Sequence, residues 1–296
     1  MSKTIPIGTK SPIGDLVPEN RVLISVIITT KNEEGNIGNC LESVLAQSYP
    51  AENIEIIVVD NSSTDKTREI VDKFKEGFTP LNLKVFNRGP ERSAQKNFGV
   101  EKSKGVYFIH LDADMILSEN VVAECVEKVS NDKNIIALYI PEIVAGKSFF
   151  SRVRRFERSF YGGTVIDAVR FIRKDKFLEA GGFDEKMYAC EDWDLDKRIK
   201  KLGKVGIIQA VIYHNEEEFN LTKYFKKKKY YSKNIDVYIE KWGKNDPDVK
   251  KQFGFCYRYV GVFIENEKWK KIVRHPLLTA GMYFLRFLVG IKYLTR

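Results

Sequence analysis

A chain of 296 residues, 43% apolar and 30% charged, is long enough for one large domain or a domain with an appendage, and its balance is that of a globular protein rather than a disordered or fibrous one. Its four cysteines, Cys40, Cys125, Cys190 and Cys256, are scattered with no C-x-x-C pair, which argues against a disulfide frame or a zinc site and for reduced thiols in a cytoplasmic setting. The net charge of +9 is uneven: residues 221–296 carry 18 Lys/Arg against 6 Asp/Glu, and the first 220 carry 31 against 34, so a basic C-terminal part on a near-neutral body points to an anionic surface as partner.

Residues 1–20 hold three prolines and two glycines without apolar periodicity or the apolar core of a signal peptide, and read as a loose tail. The run from Val22 to Thr30 is strongly β-branched and suits a central parallel strand. After Lys31-Asn32-Glu33-Glu34-Gly35, Ile37, Leu41, Val44 and Leu45 recur at helical spacing. The unit then repeats. Ile54 to Val59 is a second buried strand ending at Asp60-Asn61-Ser62-Ser63, and a helix from Asp65 turns Ile70, Val71 and Phe74 inward. Leu83 to Phe86 is a shorter strand, Glu91 to Lys102 a helix, and Val106 to Leu111 a strand that runs into Asp112-Ala113-Asp114. Strand–helix alternation with short connections means an α/β fold: a mostly parallel, Rossmann-like sheet covered by helices, with right-handed crossovers.

Every one of these strands ends in polar groups: Thr29/Thr30, Asp60/Asn61, Asn87/Arg88 and Asp112/Asp114. Parallel strand ends share one edge of the sheet, where ligands of open α/β sheets bind, so the four clusters converge. Paired carboxylates there suit Mg²⁺ or Mn²⁺ held against a phosphorylated ligand. No G-x-G-x-x-G or G-x-x-x-x-G-K-[ST] is present, which argues against a dinucleotide oxidoreductase or a P-loop enzyme. Arg92 and Lys96, at i, i+4, become the cations for a diphosphate.

Taken together, Val26 to Glu34, Val58 to Asp65, Lys96-Asn97-Phe98-Gly99, Leu111-Asp112-Ala113-Asp114, Gly181 to Glu185 and Glu191-Asp192-Trp193-Asp194-Leu195 with Arg198 resemble, in order and spacing, the inverting glycosyltransferases of family 2, which have the GT-A fold. The resemblance spans roughly residues 21–220. It implies a nucleotide-sugar donor, UDP-linked in preference. Thr29, Glu33 and Asp60, with Thr30, Asn32, Asn61 and Ala113 beside them, are the expected contacts to base and ribose. Arg92 and Lys96 are expected near the uracil or the diphosphate, Asp112 at the ribose or a metal-bound water, and Asp114 on the metal. Where the family often has Ala-Arg-Asn, this chain has Gln95-Lys96-Asn97.

Inverting transfer needs a base to take the acceptor proton and a cation to hold the leaving diphosphate. The resemblance singles out Asp192 as the base, with Glu191 as nearest rival; Asp194 and Asp196 are expected to face solvent. The pair is equally an acidic first turn favoured by the helix dipole. Gly162-Gly163-Thr164 and Gly181-Gly182, with Trp193, mark the region expected to hold sugar and acceptor. His214, after the apolar Val211-Ile212, is a candidate to complete the metal shell. Processive synthases of similar type carry Q-x-x-R-W; none of Trp193, Trp242 or Trp269 follows an arginine, so single transfers are expected.

Beyond residue 220 the chain reads as a basic, aromatic-rich helical extension. Lys226 to Lys229 precede Tyr230-Tyr231, a pattern open to nucleic acid or an anionic membrane. The run from Leu277 to Val289, apolar nearly all round but broken by Arg286, decides for membrane; it is shorter than the ~20 residues of a spanning helix and reads as interfacial. The stretch Phe149 to Phe160, with Lys147 and Arg152, Arg154, Arg155 and Arg158 among its aromatics, is a second interfacial candidate or a helix that packs on the domain or forms a homodimer. The expectation is a peripheral enzyme on the inner face of the cell membrane, with a lipid-linked sugar or polyprenyl phosphate as acceptor and no nucleic-acid partner. A nucleotidyltransferase of related fold and a non-catalytic membrane adaptor are the alternatives.

Overall fold

The computed structural model describes residues 22–77, 82–215, 219–232 and 234–294. The loose tail expected over 1–20 lies outside them, as do the side chains of Lys227 to Tyr231.

The first half alternates as its periodicity requires: β1 (Ile24–Thr30), α1 (Ile37–Leu45), β2 (Ile54–Asp60), α2 (Thr67–Gly77), β3 (Leu83–Asn87), α3 (Arg92–Lys102) and β4 (Tyr107–Asp112). β3, β2, β1 and β4 lie side by side and parallel. All seven residues of β1 and of β2 are buried, because helices cover both faces. Ile24, Val26 and Ile28 face the layer of α1 and α2, while Ile27 faces α3. Gly99 sets the depth of α3: a Cβ there would lie 2.4 Å from Ile27 Cγ2, so only glycine lets the helix seat this closely.

The chain continues through β5 (Met115–Leu117), α4 (Val121–Asn131), β6 (Ile135–Tyr139), β7 (Glu142–Val144), α5 (Phe149–Arg158), β8 (Phe171–Arg173), α6 (Lys174–Glu179), α7 (Glu191–Lys200), β9 (Lys204–Ile207) and β10 (Ile212–His214). β8 enters the main sheet antiparallel between β4 and β6, and β9 closes it, giving the order β3-β2-β1-β4-β8-β6-β9. A second, three-stranded sheet, β5-β10-β7, stands over the end of β4.

The C-terminal helices are α8 (Leu221–Ser232), α9 (Ile235–Trp242), α10 (Pro247–Phe253), a π-helical turn (Tyr257–Gly261), α11 (Val262–Ile264), α12 (Trp269–Arg274) and α13 (Pro276–Leu294). They share core with the rest of the chain. Val153, Phe156 and Phe160 pack with Val262, Phe263, Met282 and Leu285, and Met187 packs with Tyr238 and Val249. Most apolar positions of α5 are therefore internal and face α13 and α11, as in the alternative that packs this helix on the domain, while Phe149 at its start stays exposed. Among the described residues no helix is long and apolar enough to cross a membrane.

Candidate active site

The parallel register aligns the strand ends. Thr29 pairs with Asp112 and Thr30 with Asp60, so three strands present their last polar residues in one row. Above β1 and β4 opens a cleft of about 1290 Å³, lined along this edge by Thr29, Thr30, Asn32, Glu33, Arg92, Asp112, Ala113 and Asp114. Thr29 Oγ1 donates to Asp112 Oδ1 at 3.1 Å, and the Arg92 guanidinium stands 3.7 Å from the other Asp112 oxygen. Asn32, in the left-handed region at φ 55°, accepts from the Thr64 amide and shapes the loop that carries Glu33. Burial, and then the Asp114 and Asp112 charges, push the Glu33 carboxyl up against the opposing hydrogen bond from Asn36.

The small sheet builds the next part. β5 follows two residues after β4 and pairs antiparallel with β10, setting His214 opposite Met115 and beside Asp114. His214 Nε2 lies 3.0 Å from Asp114 Oδ2, and Nδ1 lies 2.7 Å from Glu142 Oε1 on β7. Carboxylate oxygens facing both ring nitrogens require both to carry hydrogen. Burial disfavours that cation, but the bonds to Asp114 and Glu142 outweigh it and push the imidazole pKa up to about 9. Glu142 Oε2 accepts from Arg158 at 2.6 Å and from Arg170 at 3.0 Å. Neither Glu142 nor these arginines belongs to a motif; the only signal in the sequence is a glutamate set among apolar residues of a short strand.

A divalent cation fits here. Asp114 Oδ1 is buried with no hydrogen-bond partner among the described residues, and His214 Nε2 is beside it. Once Nε2 gives up its hydrogen to make room for the ion, one carboxylate oxygen and one imidazole nitrogen suit Mn²⁺ or Mg²⁺. Among the described residues no three His, Cys, Asp or Glu side chains converge to hold an ion alone, so a cation bound here needs further ligands from a phosphorylated ligand and water. Thr30 Oγ1, buried on the same edge, also has no protein partner among the described residues.

The second acid pair opens α7. Cys190, left-handed at φ 65°, turns the chain into the helix, and Glu191 and Asp192 occupy its first turn, where the dipole favours negative charge. Both line the cleft with Trp193, whose indole nitrogen donates to the Ile166 carbonyl at 2.9 Å. The Asp192 side chain keeps 34% of its surface exposed, whereas Glu191 is nearly closed off. Burial pushes the Glu191 carboxyl up, and the neighbouring Asp192 charge adds to it. Burial acts on Asp192 as well, but the Lys96 ammonium 3.0 Å away outweighs it and holds that carboxyl down at about 2. Arg92 also reaches Glu191, at 3.8 Å, so one guanidinium spans from Asp112 to the α7 acids.

Several expectations are corrected. Lys96 does not face a diphosphate: it is 1% exposed, lies under the acid pair and sits 4.8 Å from the Phe183 ring centroid. Close seating of α3 buries the face that carries it. Asp60 and Asn61 do not line the cleft, because Asp60 accepts from the Ser63 amide and hydroxyl and Asn61 Nδ2 donates to the Pro90 carbonyl. Gly163 and Gly182 do not line it either. Gly163 donates to Asp167 in a turn, and Gly182, at φ +70°, brings the chain against Asn97, whose amide group bonds both backbone groups of Phe183. Asp194 and Asp196 are buried: Arg198, Lys241 and Trp242 hold the first, and Tyr139 and Lys200 the second.

A mostly parallel sheet whose edge presents an acidic turn backed by a small second sheet is the architecture of the GT-A fold, and solved GT-A structures share it. A mannosyltransferase, PcManGT of Pyrobaculum calidifontis, in complex with GDP-Man and Mn²⁺, superposes with a TM-score of 0.62 over 95% of this chain and 81% of its own, at 18% identity. TarS of S. aureus in complex with UDP-GlcNAc gives 0.55 over 89% and 80%, at 17% identity. The chain belongs to glycosyl transferase family 2, whose family model matches residues 25–183. It is 38% identical over 188 residues to glycosyltransferase AglE of Haloferax volcanii, an alignment covering 61% of this chain and 62% of that one. It is 32% identical over 207 residues, again 61% and 62%, to a dolichyl N-acetyl-alpha-D-glucosaminyl phosphate 3-beta-D-2,3-diacetamido-2,3-dideoxy-beta-D-glucuronosyltransferase of Methanococcus voltae. The chain thus spans less than two thirds of the length of these curated relatives.

Proposed function

We propose that the protein transfers one sugar, with inversion, from a nucleotide-diphosphate sugar to a hydroxyl of a lipid-linked acceptor at the inner face of the cell membrane. The observation that carries this reading is the single cleft in which Asp114 with His214 and Asp192 with Glu191 are joined through the reach of Arg92. In this reading Asp192 accepts the proton of the acceptor hydroxyl. That oxygen bonds to the anomeric carbon as the bond to the leaving nucleoside diphosphate breaks on the opposite sugar face. Thr30, Glu33 and Arg92 hold the donor, and Asp114 with His214 would hold a Mn²⁺ or Mg²⁺ that neutralises the leaving diphosphate. UDP is favoured as the carrier by the resemblance, while the GDP-Man and UDP-GlcNAc complexes among the structural neighbours keep both bases in the screen. The Methanococcus voltae relative, named for a dolichyl sugar phosphate, supports a lipid-linked acceptor.

Turnover of a panel of UDP- and GDP-sugars with Mn²⁺ or Mg²⁺ tests the reading. Release of nucleoside diphosphate is expected. Asp192→Asn should lose about 10²–10⁴-fold in rate while nucleotide binding holds, since a general base contributes on that scale. Asp114→Asn should lose metal-assisted nucleotide binding. Release of pyrophosphate, or full turnover by the Asp192 variant, would overturn the proposal.

A further inference from the structure

Glu142 lies on β7, and the parallel register pairs it with Ile212 on β10. His214, two residues on, therefore stands on the same face of the small sheet, one diagonal step away. The Glu142 side chain is only 6% exposed, yet three other parts of the chain converge on it. His214 Nδ1 is 2.7 Å from Oε1, and Oε2 accepts from Arg158 at the end of α5 and from Arg170 just before β8. Arg170 is itself pinned by its main chain: its amide donates to the Leu138 carbonyl, and its carbonyl accepts from the His110 amide. Both Glu142 oxygens are thus in use, and the group is fixed from β10, α5 and the main sheet at once.

A carboxylate bonded by two guanidinium groups is an acceptor only. The hydrogen between Glu142 and His214 therefore belongs to Nδ1. That leaves Nε2 as the nitrogen on which an ion takes the place of hydrogen, and it lies 3.0 Å from Asp114 Oδ2. A carboxylate behind an ion-binding imidazole fixes the tautomer and the ring plane, and makes the facing nitrogen a better ligand.

Resting on the reading of Asp114 and His214 as the metal pair of a glycosyltransferase, we propose that Glu142 is a positioning residue of that centre. It holds His214 in the tautomer and orientation that turn Nε2 toward the ion, and Arg158 and Arg170 hold Glu142 in place. Glu142 acts only through His214. A plain ion pair tying α5 to the small sheet would instead leave the effect of Glu142 indifferent to the side chain at position 214.

Binding of Mn²⁺ to the full-length protein tests this, read from the loss of the free-ion electron paramagnetic resonance signal with and without UDP, and with no sugar donor or acceptor present. Glu142→Gln keeps the shape, but its amide oxygen meets the arginines and its NH₂ turns to Nδ1. The ring hydrogen then sits on Nε2, where it excludes the ion. Mn²⁺ affinity should fall about 10–100-fold, the range for losing the partner of a metal-bound histidine. His214→Ala should weaken binding as well, and in that background Glu142→Gln should cost little more. Equal losses from Glu142→Gln with and without His214 would overturn the role, as would wild-type affinity in folded Glu142→Gln or no Mn²⁺ binding by the wild type. Should Glu142→Gln fail to fold, the wild type decides through the nitrogen-15 spectrum of its three histidines. Cd²⁺, a diamagnetic stand-in for Mn²⁺, should shift His214 Nε2 while Nδ1 keeps its hydrogen; an ion on Nδ1, or no change at His214, would sink the proposal. A protein that passes these tests yet transfers no sugar fails only the functional reading, and one that transfers sugar without binding an ion fails only this one.

Discussion

Buried beside the Phe183 ring and bonded to Asp192, the Lys96 ammonium sets the charge state of the acid above it. Burial alone would raise Asp192; the Lys96 cation keeps it depressed, and therefore ionised at neutral pH. Replacing Lys96 by Met removes the opposing charge while burial and Glu191 remain, so the Asp192 pKa must rise. The sign follows: the acid limb of kcat/KM moves to higher pH, by at least about one unit, because an ion pair of this kind holds an acid down by 1–3 units. The same depression means that the pair stabilises the fold above the ordinary carboxylate range, and that this contribution fades as pH falls towards about 2. Lys96→Arg should keep most of the wild-type profile. A pH–rate profile of the two variants decides it, and an unmoved acid limb in Lys96→Met would show that another group governs Asp192. At this scale Asp112, Asp114, Glu191, Asp192 and His214 were legible in the sequence, since each follows an apolar strand or opens a helix. Lys96 was misread because i, i+4 spacing with Arg92 says that two side chains share a face, not whether the face is wet. That depends on how closely Gly99 lets α3 seat against Ile27, a tertiary fact.

The elements follow the same division. β1 to β4 and their helices announce themselves by periodicity, and their register needs only the parallel rule. β5, β7 and β10 have three residues each, too few for any period, yet they bring Asp114, Glu142 and His214 together. α13 carried a readable signal with two physical meanings. Arg286 interrupts an apolar run, which suits a helix at a membrane, but it also serves as a buried partner for Glu157. Both features coexist because the arginine and Gly281 face α5 while the exposed apolar residues face away. Gly281 is the point of closest approach: a Cβ would sit 2.7 Å from Val153 Cγ2 and about 3 Å from the Phe149 ring. Gly281→Val should therefore push α13 off α5, costing about 1–3 kcal/mol, as overpacking of a filled interface does. It should also disturb the Arg286–Glu157–Tyr161 group in the same step. Thermal unfolding gives the size of the effect. A variant as stable as the wild type would mean that α13 docks more loosely than its packing implies.

For the whole molecule, the distribution of exposed apolar surface carries the remaining argument. Leu277, Phe284, Phe287 and Ile291 are exposed, and their steps of seven, three and four residues put them on one stripe of α13. Val273 and Trp269 on α12 and Phe255 before the π-helical turn extend the apolar exposure, and the C-terminal part is the basic part of the chain. An apolar stripe in basic surroundings suits an anionic bilayer surface, where buried apolar area and attraction to acidic headgroups add. The full-length protein should float with anionic vesicles at low salt and much less with neutral ones, and raising the salt should weaken the anionic case by screening. Changing Leu277, Phe284 and Phe287 together to Ser should cut vesicle binding at least about a hundredfold, since burying each such side chain is worth roughly 1.5–3 kcal/mol. The fold should survive, because none of the three belongs to the buried core cluster; Phe284 touches its edge only through the Phe150 ring, 6.4 Å away between centroids. If the wild type stays with the unbound fraction and its mass in solution doubles with concentration, the stripe belongs to a second copy of the chain and the membrane assignment falls. If it floats and the triple variant floats equally well, the attachment lies on another face of the molecule.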